Sequence, residues 1–452
     1  MLISRYSKPE FDPYGDTSPE ATDARWPAPT ATGPLSASVS LPGSKSLTNR
    51  ELVLSALAEH PSVLRSPLHS RDSDLMVAAL RQLGTTIEEV PGDGEFGPDL
   101  WITPGELLGS TTIDCGLAGT VMRFLPPVAA LALGPTTFDG DAHARLRPMK
   151  TTISSLRALG ADINDDGRGA LPFTVHGTGG LPGGEVTIDA STSSQFVSGL
   201  LLAAPRFERG LHLRHAGERL PSMPHIEMTI AALARRGVTV GSPAVGEWIV
   251  EPGPIDGAEI DIEPDLSNAA PFLAAALVAG GSVTVTGWPE ATTQVGADLA
   301  DLLPMFGATV IRRGDRLTVT AGERLRGVRL DLSTGGELAP ALVALAALAD
   351  SPSTITGIGH IRHHETDRLA ALAAEINGLG GAVTELPDGL QIDPRPLHGG
   401  PWRTYEDHRM AMAGALIGLA APGVEIENIG TTAKTLPQFA DLWQTLASGA
   451  PS

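Results

Sequence analysis

Apolar positions are distributed along the chain in a repeating way. Residues 51–58, 196–204, 272–279, 342–349 and 410–421 are apolar or small at nearly every position, and a loop rich in Ser, Gly, Asp, Asn or charged residues precedes each stretch. Such stretches predict helices buried on all sides. Residues 74–83, 152–159 and 368–379 keep apolar side chains at helical spacing but carry a polar stripe, which predicts outer helices. Between them lie β-branched runs bounded by glycine, such as residues 281–287, and shorter ones within RALGADI, MFGATVI and GLGGAVTEL.

The whole series recurs. Start points at Leu41, Asp114, Asp189, Asp261, Asp331 and Tyr405 give six units with a period of about 70–75 residues. Each unit reads as loop, buried helix, strand, outer helix and strand, an α/β pattern. A chain of 452 residues exceeds what one core usually organises, so two lobes of three units are expected, helices inside and sheets outside. The chain would cross between lobes near Leu41 and near Glu263. Residues 34–44 and 263–452 then form one discontinuous domain, and residues 45–262 the other. Residues 1–33 are rich in Pro, Thr and acidic side chains with no apolar core, and read as a disordered extension instead of a signal peptide.

A formal charge of −20 without any Lys/Arg block argues against nucleic-acid binding. No stretch approaches the roughly 18 apolar residues of a membrane span. The single cysteine, Cys115, excludes an internal disulfide and suits a reducing cytoplasm. An acidic protein can still build a locally positive cleft. Of 32 basic residues only Lys8, Lys45, Lys150 and Lys434 are lysines, and Lys45 and Lys434 stand in Ser/Thr-containing loops. Either chance or the compact, titratable ammonium accounts for their presence there.

Several loops have residues suited to anions. PGSKSLTNR at 42–50 lacks P-loop spacing, yet sets Ser44, Lys45, Ser46 and Arg50 at a helix start, where free N–H groups favour negative charge. A plain N-cap with a solvated lysine is the other reading. DASTSSQ at 189–195 is either a Ser/Thr cap or a binding loop. In GLAGTVMR at 116–123, Gly119 lets a ligand approach the backbone. HIRHHETDR at 360–368 gathers three histidines and a carboxylate, but the metal spacing H-E-x-x-H is absent and residues 365–367 suit a helix cap.

Taken in order, LPGSKSLTNR, GLAGTVMR, RLRPM, STSSQF, LPSMP, HETDRLAAL, DHRMAM and AKTLP resemble the enolpyruvyl transferases, and within them the branch acting on shikimate 3-phosphate. The likeness runs from about Ala37 to Trp443, nearly the whole chain beyond the tail. The resemblance implies a two-domain inside-out α/β barrel of six βαβαββ units, with the active site in the interdomain cleft. It also implies addition of the shikimate 3-phosphate 5-hydroxyl to phosphoenolpyruvate, followed by loss of phosphate, with no metal or organic cofactor. The expected partners are these two small molecules, and the expected assembly is a cytoplasmic monomer. By the matching motifs, Lys45, Ser46, Arg50, Ser193, Ser194, Gln195, Ser222, Glu337 and His364 would meet shikimate 3-phosphate. Lys45, Gly119, Arg147, Gln195, Arg368, Arg409 and Lys434 would meet phosphoenolpyruvate. Glu337 would accept the hydroxyl proton, Glu365 would donate one to C3, and Lys45 would assist.

The chain departs from the common pattern at Leu117, Phe124, His225, Glu337, His360 and His364, where Asn, Pro, Tyr, Asp, Asn and Lys are usual. His364 is expected to titrate near about pH 6.5, raised by Glu365, so that shikimate 3-phosphate binding weakens across about pH 6 to 8.5. Two rivals remain. A relative acting on UDP-N-acetylglucosamine would carry a reactive cysteine at about Ala142, and a non-catalytic repeat scaffold would need none of these cations.

Overall fold

The computed structural model describes residues 25–217 and 219–448. Five four-stranded sheets and one three-stranded sheet form its outer layer. The five share one topology, illustrated by strand Thr111–Asp114, which pairs in parallel with Leu133–Asp139. Phe173–Thr178 and then Asp162–Asn164 extend that sheet antiparallel. The helix joining the parallel strands, Gly119–Leu131, is buried along its whole length, whereas the next helix, Lys150–Ala158, buries one side. An apolar surface on every face leaves the first no stable place except the interior.

Inner helices Lys45–Leu57, Gly119–Leu131 and Gln195–Ala203 pack on one another, as do Ala269–Ala279, Ala339–Ala347 and His408–Gly418. Buried apolar side chains accordingly form two clusters. One draws on residues 47–262, the other on residues 28–41 and 266–447. Gly199 shows how closely the helices approach: a Cβ there would collide with the Arg123 carbonyl of the neighbouring helix.

Two strands lie in the lobe opposite to the helix that follows them. Leu35–Val39 pairs in parallel with Gly281–Thr286, and Glu259–Asp261 with Ser62–Arg65. The two connecting segments cross side by side, with Ser44 N–H donating to Glu263 O at 2.8 Å and Asp265 N–H to Pro42 O at 2.9 Å. Space is tight here. A Cβ on Gly43 would strike the Ser66 carbonyl and the Ile262 side chain.

The expected disordered extension falls, for residues 1–24, outside the described residues, and for residues 25–33 the structure differs. Trp26–Pro27 is a strand antiparallel to Val424–Ile426 and completes the sixth sheet, Ala28 is buried, and Ala31 N–H bonds Leu419 O at 3.1 Å. Composition suggested disorder because the partner strand is distant in sequence; an unfilled sheet edge supplies the ordering interaction. Among the described residues no helix is long and apolar enough to cross a membrane.

A buried ion pair fixes the helices that carry several cleft residues. Glu51 on helix Lys45–Leu57 and Arg236, both fully buried, meet at 2.9 Å, and Arg235 reaches the other Glu51 oxygen at 2.8 Å. Arg236 also donates to Ser55, Ser62 and the Asp256 carbonyl. Removing one partner leaves an uncompensated buried charge, whereas replacing both with apolar groups does not. Glu51→Ala is expected to destabilise this lobe by about 3–5 kcal/mol in urea unfolding, and the double change Glu51→Leu with Arg236→Met by much less.

Candidate active site

The inner helices begin at the cleft between lobes. Lys45, Gly119, Gln195 and His408 are the first residues of four of them, and Glu337 lies on the 3-10 turn Gly336–Leu338 that leads into a fifth. Unpaired N–H groups at such ends favour anions. Side chains from both lobes meet here.

On one wall Arg123 and Arg147 lie close together. Arg123 donates to Gln195 Oε1 at 3.1 Å and faces the Phe196 ring, and Arg147 donates to the Leu117 carbonyl at 3.0 Å. The Nε of each is buried without a partner, and among the described residues neither forms an ion pair with a carboxylate. Burial, together with the adjoining Arg147 charge, pushes Arg123 well below the usual guanidinium range. An anion placed here would relieve that repulsion. A cavity of about 70 Å³ opens beside them, bounded also by Ser193, Gln195, His364 and Glu365.

The facing wall is a chain of alternating charges. Glu365 bonds Lys434 Nζ at 2.8 Å and Arg368 Nη2 at 3.0 Å, and Arg368 makes a two-pronged pair with Asp407 at 2.7 and 3.1 Å. Burial raises the Glu365 pKa, but Lys434, Arg368 and Arg147 outweigh it and hold the carboxyl well below its usual range. Lys434 also donates to the Leu117 carbonyl at 3.3 Å, the oxygen that Arg147 uses from the opposite lobe. Burial lowers the Lys434 pKa against the pull of Glu365 and Asp72.

A second carboxylate lies across the cleft. Glu337 accepts from Ser267 Oγ at 2.9 Å and lies 2.7 Å from His225 Nε2 of the other lobe. Burial raises its pKa, yet His225, Arg409 and the Ser267 bond leave it below the ordinary carboxylate value. Arg409 donates to the Ser267 carbonyl at 3.1 Å, and Lys45 pairs with buried Asp72 at 3.2 Å. Ser222, in a left-handed conformation at φ 54°, donates its N–H to the Ser333 carbonyl of the opposite lobe. Ser194 is buried at the start of its helix, and Ser193 Oγ accepts the Gln195 N–H at 3.3 Å.

Most residues named from the sequence therefore converge on one cleft. Arg50 does not face it openly. It is buried beneath Ser46, donating to the Ser46 and His225 carbonyls at 2.8 and 2.9 Å and to Thr229 Oγ1 at 2.8 Å, with burial lowering its pKa to about 10. Ser46 itself remains partly accessible. Asp367, by contrast, caps helix Arg368–Gly378 through two backbone N–H groups, which leaves Glu365 free for the cleft. Sequence reasoning missed Asp72, Ser267, Arg123 and His225 as site residues. Arg123 had a signal, one helical turn beyond Gly119; Asp72 on an outer helix had none.

Residues 29–443 match the profile of the family described as EPSP synthase (3-phosphoshikimate 1-carboxyvinyltransferase). A 3-phosphoshikimate 1-carboxyvinyltransferase from Kocuria rhizophila is 57% identical over 432 residues, covering 94% of this chain and 97% of its own. The chain belongs to the EPSP synthase family. Two solved EPSP synthase structures from Acinetobacter baumannii share the fold, with TM-scores of 0.77 and 0.75 at 24% and 23% identity. They cover 93% and 92% of this chain and 98% and 97% of their own. The thiol chemistry of the rival reading has no counterpart in this EPSP synthase family member. Ala142 opens the short helix Ala142–Arg145, and Cys115 is fully buried, its pKa pushed up by burial.

His364 corrects the titration expected of it. Its Nδ1 lies 3.2 Å from Arg368 Nη1, a permanent donor, so the ring must offer a lone pair there. Burial, followed by the Arg368 charge, holds its pKa well below 6.5, and Glu365 opposes this without prevailing. The sequence shows the neighbouring carboxylate but neither the burial nor the cation. His364 is therefore expected to stay neutral with its proton on Nε2. Long-range ¹H–¹⁵N spectra should show no titration of this ring across about pH 6 to 8.5.

Proposed function

We infer that the protein transfers the enolpyruvyl group of phosphoenolpyruvate to the 5-hydroxyl of shikimate 3-phosphate, releasing phosphate. The observation that carries this reading is the 57% identity to a 3-phosphoshikimate 1-carboxyvinyltransferase over almost the full length of both chains. The two-walled cleft of cations and two buried carboxylates gives it a chemical basis. Both substrates carry a phosphate and a carboxylate, so binding needs fixed positive charge, and the reaction needs a base and an acid.

In this reading Lys45, Arg147, Arg368, Arg409 and Lys434 surround phosphoenolpyruvate, and Gly119 lets it lie against the backbone. Ser46, Ser193, Ser194, Gln195, Ser222 and His364 address shikimate 3-phosphate. Arg50 acts at one remove, through the Ser46 carbonyl and the first turn of helix Met223–Arg235. Glu337, ionised, takes the 5-hydroxyl proton as its oxygen attacks C2. Glu365, once protonated, gives that proton to C3 as the C2–C3 π bond opens; on elimination it takes a proton back from C3, the π bond re-forms, the C2–O bond to phosphate breaks, and the proton held on Glu337 leaves with phosphate. The cations that hold Glu365 ionised are also the ones phosphoenolpyruvate would engage. Arrival of that anion weakens their hold on Glu365 and raises its affinity for the proton it must deliver.

All of these groups come from one chain, which supports a monomer, and the single buried cysteine suits a reducing cytoplasm. Mixing the protein with both substrates should release phosphate and yield the enolpyruvyl ether; absence of turnover with shikimate 3-phosphate would overturn the assignment. Glu337→Gln should lower kcat by about 100-fold or more while shikimate 3-phosphate still binds in calorimetry. Gly119→Ala would put a methyl 2.8 Å from Arg147 Nη2, 2.9 Å from Arg123 Nη1 and 3.0 Å from Gln195 Oε1. Its KM for phosphoenolpyruvate should rise by about tenfold or more, with a smaller change for shikimate 3-phosphate.

A further inference from the structure

The contact between His225 and Glu337 joins two lobes at a reacting group. His225 is the third residue of helix Met223–Arg235 in one lobe, and Glu337 precedes helix Ala339–Ala347 in the other. Its backbone is held firmly from behind. The His225 carbonyl accepts from Arg50 Nη2 at 2.9 Å, Thr229 Oγ1 at 3.0 Å and Ser198 Oγ at 3.4 Å. Neither side chain of the pair is more than 18% exposed.

The surroundings of His225 favour the neutral ring. Burial lowers its pKa, and the nearby charges of Arg50 and Arg409 add to this against Glu337 and Asp265. With an ionised carboxylate 2.7 Å away, the single ring proton sits on Nε2 and is donated to Glu337 Oε2. Ser267 donates to Oε1, so each carboxylate oxygen has one fixed donor and keeps a lone pair for an incoming hydroxyl.

We propose that His225 is the positioning residue for Glu337, so that the base is aimed correctly only when the two lobes bring the imidazole and the carboxylate together. This rests on the reading of Glu337 as the base. In the step itself the 5-hydroxyl O–H bond breaks and its proton passes to Glu337, while the oxygen electron pair forms the bond to C2 and the C2–C3 π pair takes a proton at C3 from Glu365. His225 keeps its own proton throughout and neither gains nor loses charge. A glutamate has one more rotatable bond than an aspartate and needs such a partner to hold one rotamer in the cleft.

Three variants in the full-length chain test this. His225→Phe keeps the ring shape but removes the donor, His225→Gln places an amide N–H near the Nε2 position, and Glu337→Gln removes the base. His225→Phe is expected to lower kcat by about 10- to 100-fold, with KM for each substrate changed by less than about threefold. It should also shift the acid limb of the kcat–pH profile upward, because a lost donor raises the carboxylate pKa. Arg50, Asp265, Arg368, Arg409 and the His360 ring, the other charged or titratable groups facing the pair, are retained in all three variants. His225→Gln should restore kcat to within about fivefold of the native enzyme, because donation and not proton exchange is what matters. Native turnover in His225→Phe, or equally slow Phe and Gln variants, would overturn the proposal. A slow Glu337→Gln beside a native-like His225→Phe would leave the base reading standing and remove His225 alone. Native turnover in Glu337→Gln would instead remove the base reading, and the proposal with it.

Discussion

Helices that are apolar on every face can lie only inside, and once inside they offer polar groups only at their ends. Each lobe stacks three of them with its sheets outside, so the buried backbone N–H groups left without helical partners collect at the starts of those helices. Asp265 and Asp407 satisfy part of that demand, the first by accepting from Ser267 and Asn268 N–H, the second from Arg409 N–H. The rest of the cleft follows from the same packing. Side chains one turn into a helix, such as Arg50 and Arg123, are drawn into the interior, while those at the first position, such as Lys45 and Gln195, line the cleft, paired with Asp72 and Arg123 of their own lobe.

Charge in the cleft is arranged unevenly on purpose of geometry. One wall has Arg123 and Arg147, which among the described residues form no ion pair with a carboxylate, and the other has Lys434 and Arg368 both engaged by Glu365. Placing like charges together under burial is unfavourable unless an anion joins them. A protein of formal charge −20 thus keeps a concentrated positive region in a small enclosed space, where screening by solvent is weak.

Much of the fold was legible because each unit repeats both a polar loop and an all-apolar helix, and that pairing survives divergence of the individual residues. The pairing partners of the exchanged strands were not legible. Nothing local in residues 35–39 states that they pair with residues 281–286, nor in residues 26–27 that they complete the sixth sheet. In the site, residue type and loop position singled out Lys45 and Lys434, and the motifs shared with the enolpyruvyl transferases implied Arg147, Arg368 and Arg409; the structure brings all five to one cleft. What escaped was everything that depends on a partner: Asp72 beneath Lys45, the inward turn of Arg50, and the neutral ring of His364. Glu337 and His225 each looked like an isolated departure from a common pattern, and only the tertiary structure makes them neighbours.

The two chain crossings, hydrogen-bonded side by side at Pro42–Ser44 and Glu263–Asp265, are where any rotation of one lobe about the other would pivot. Lys45 adjoins one crossing, and its N–H reaches Asp265 on the other at 3.3 Å, so this lysine sits almost on the axis. Rotation of one lobe about the other displaces each group in proportion to its lever arm. Groups near the crossings would be displaced least by such a rotation, whereas Arg219 and Asp388, paired at 2.8 Å across the lobes, would be drawn apart by it. A ligand held first at Lys45 would therefore keep one anchor in place while the remaining contacts arrive around it.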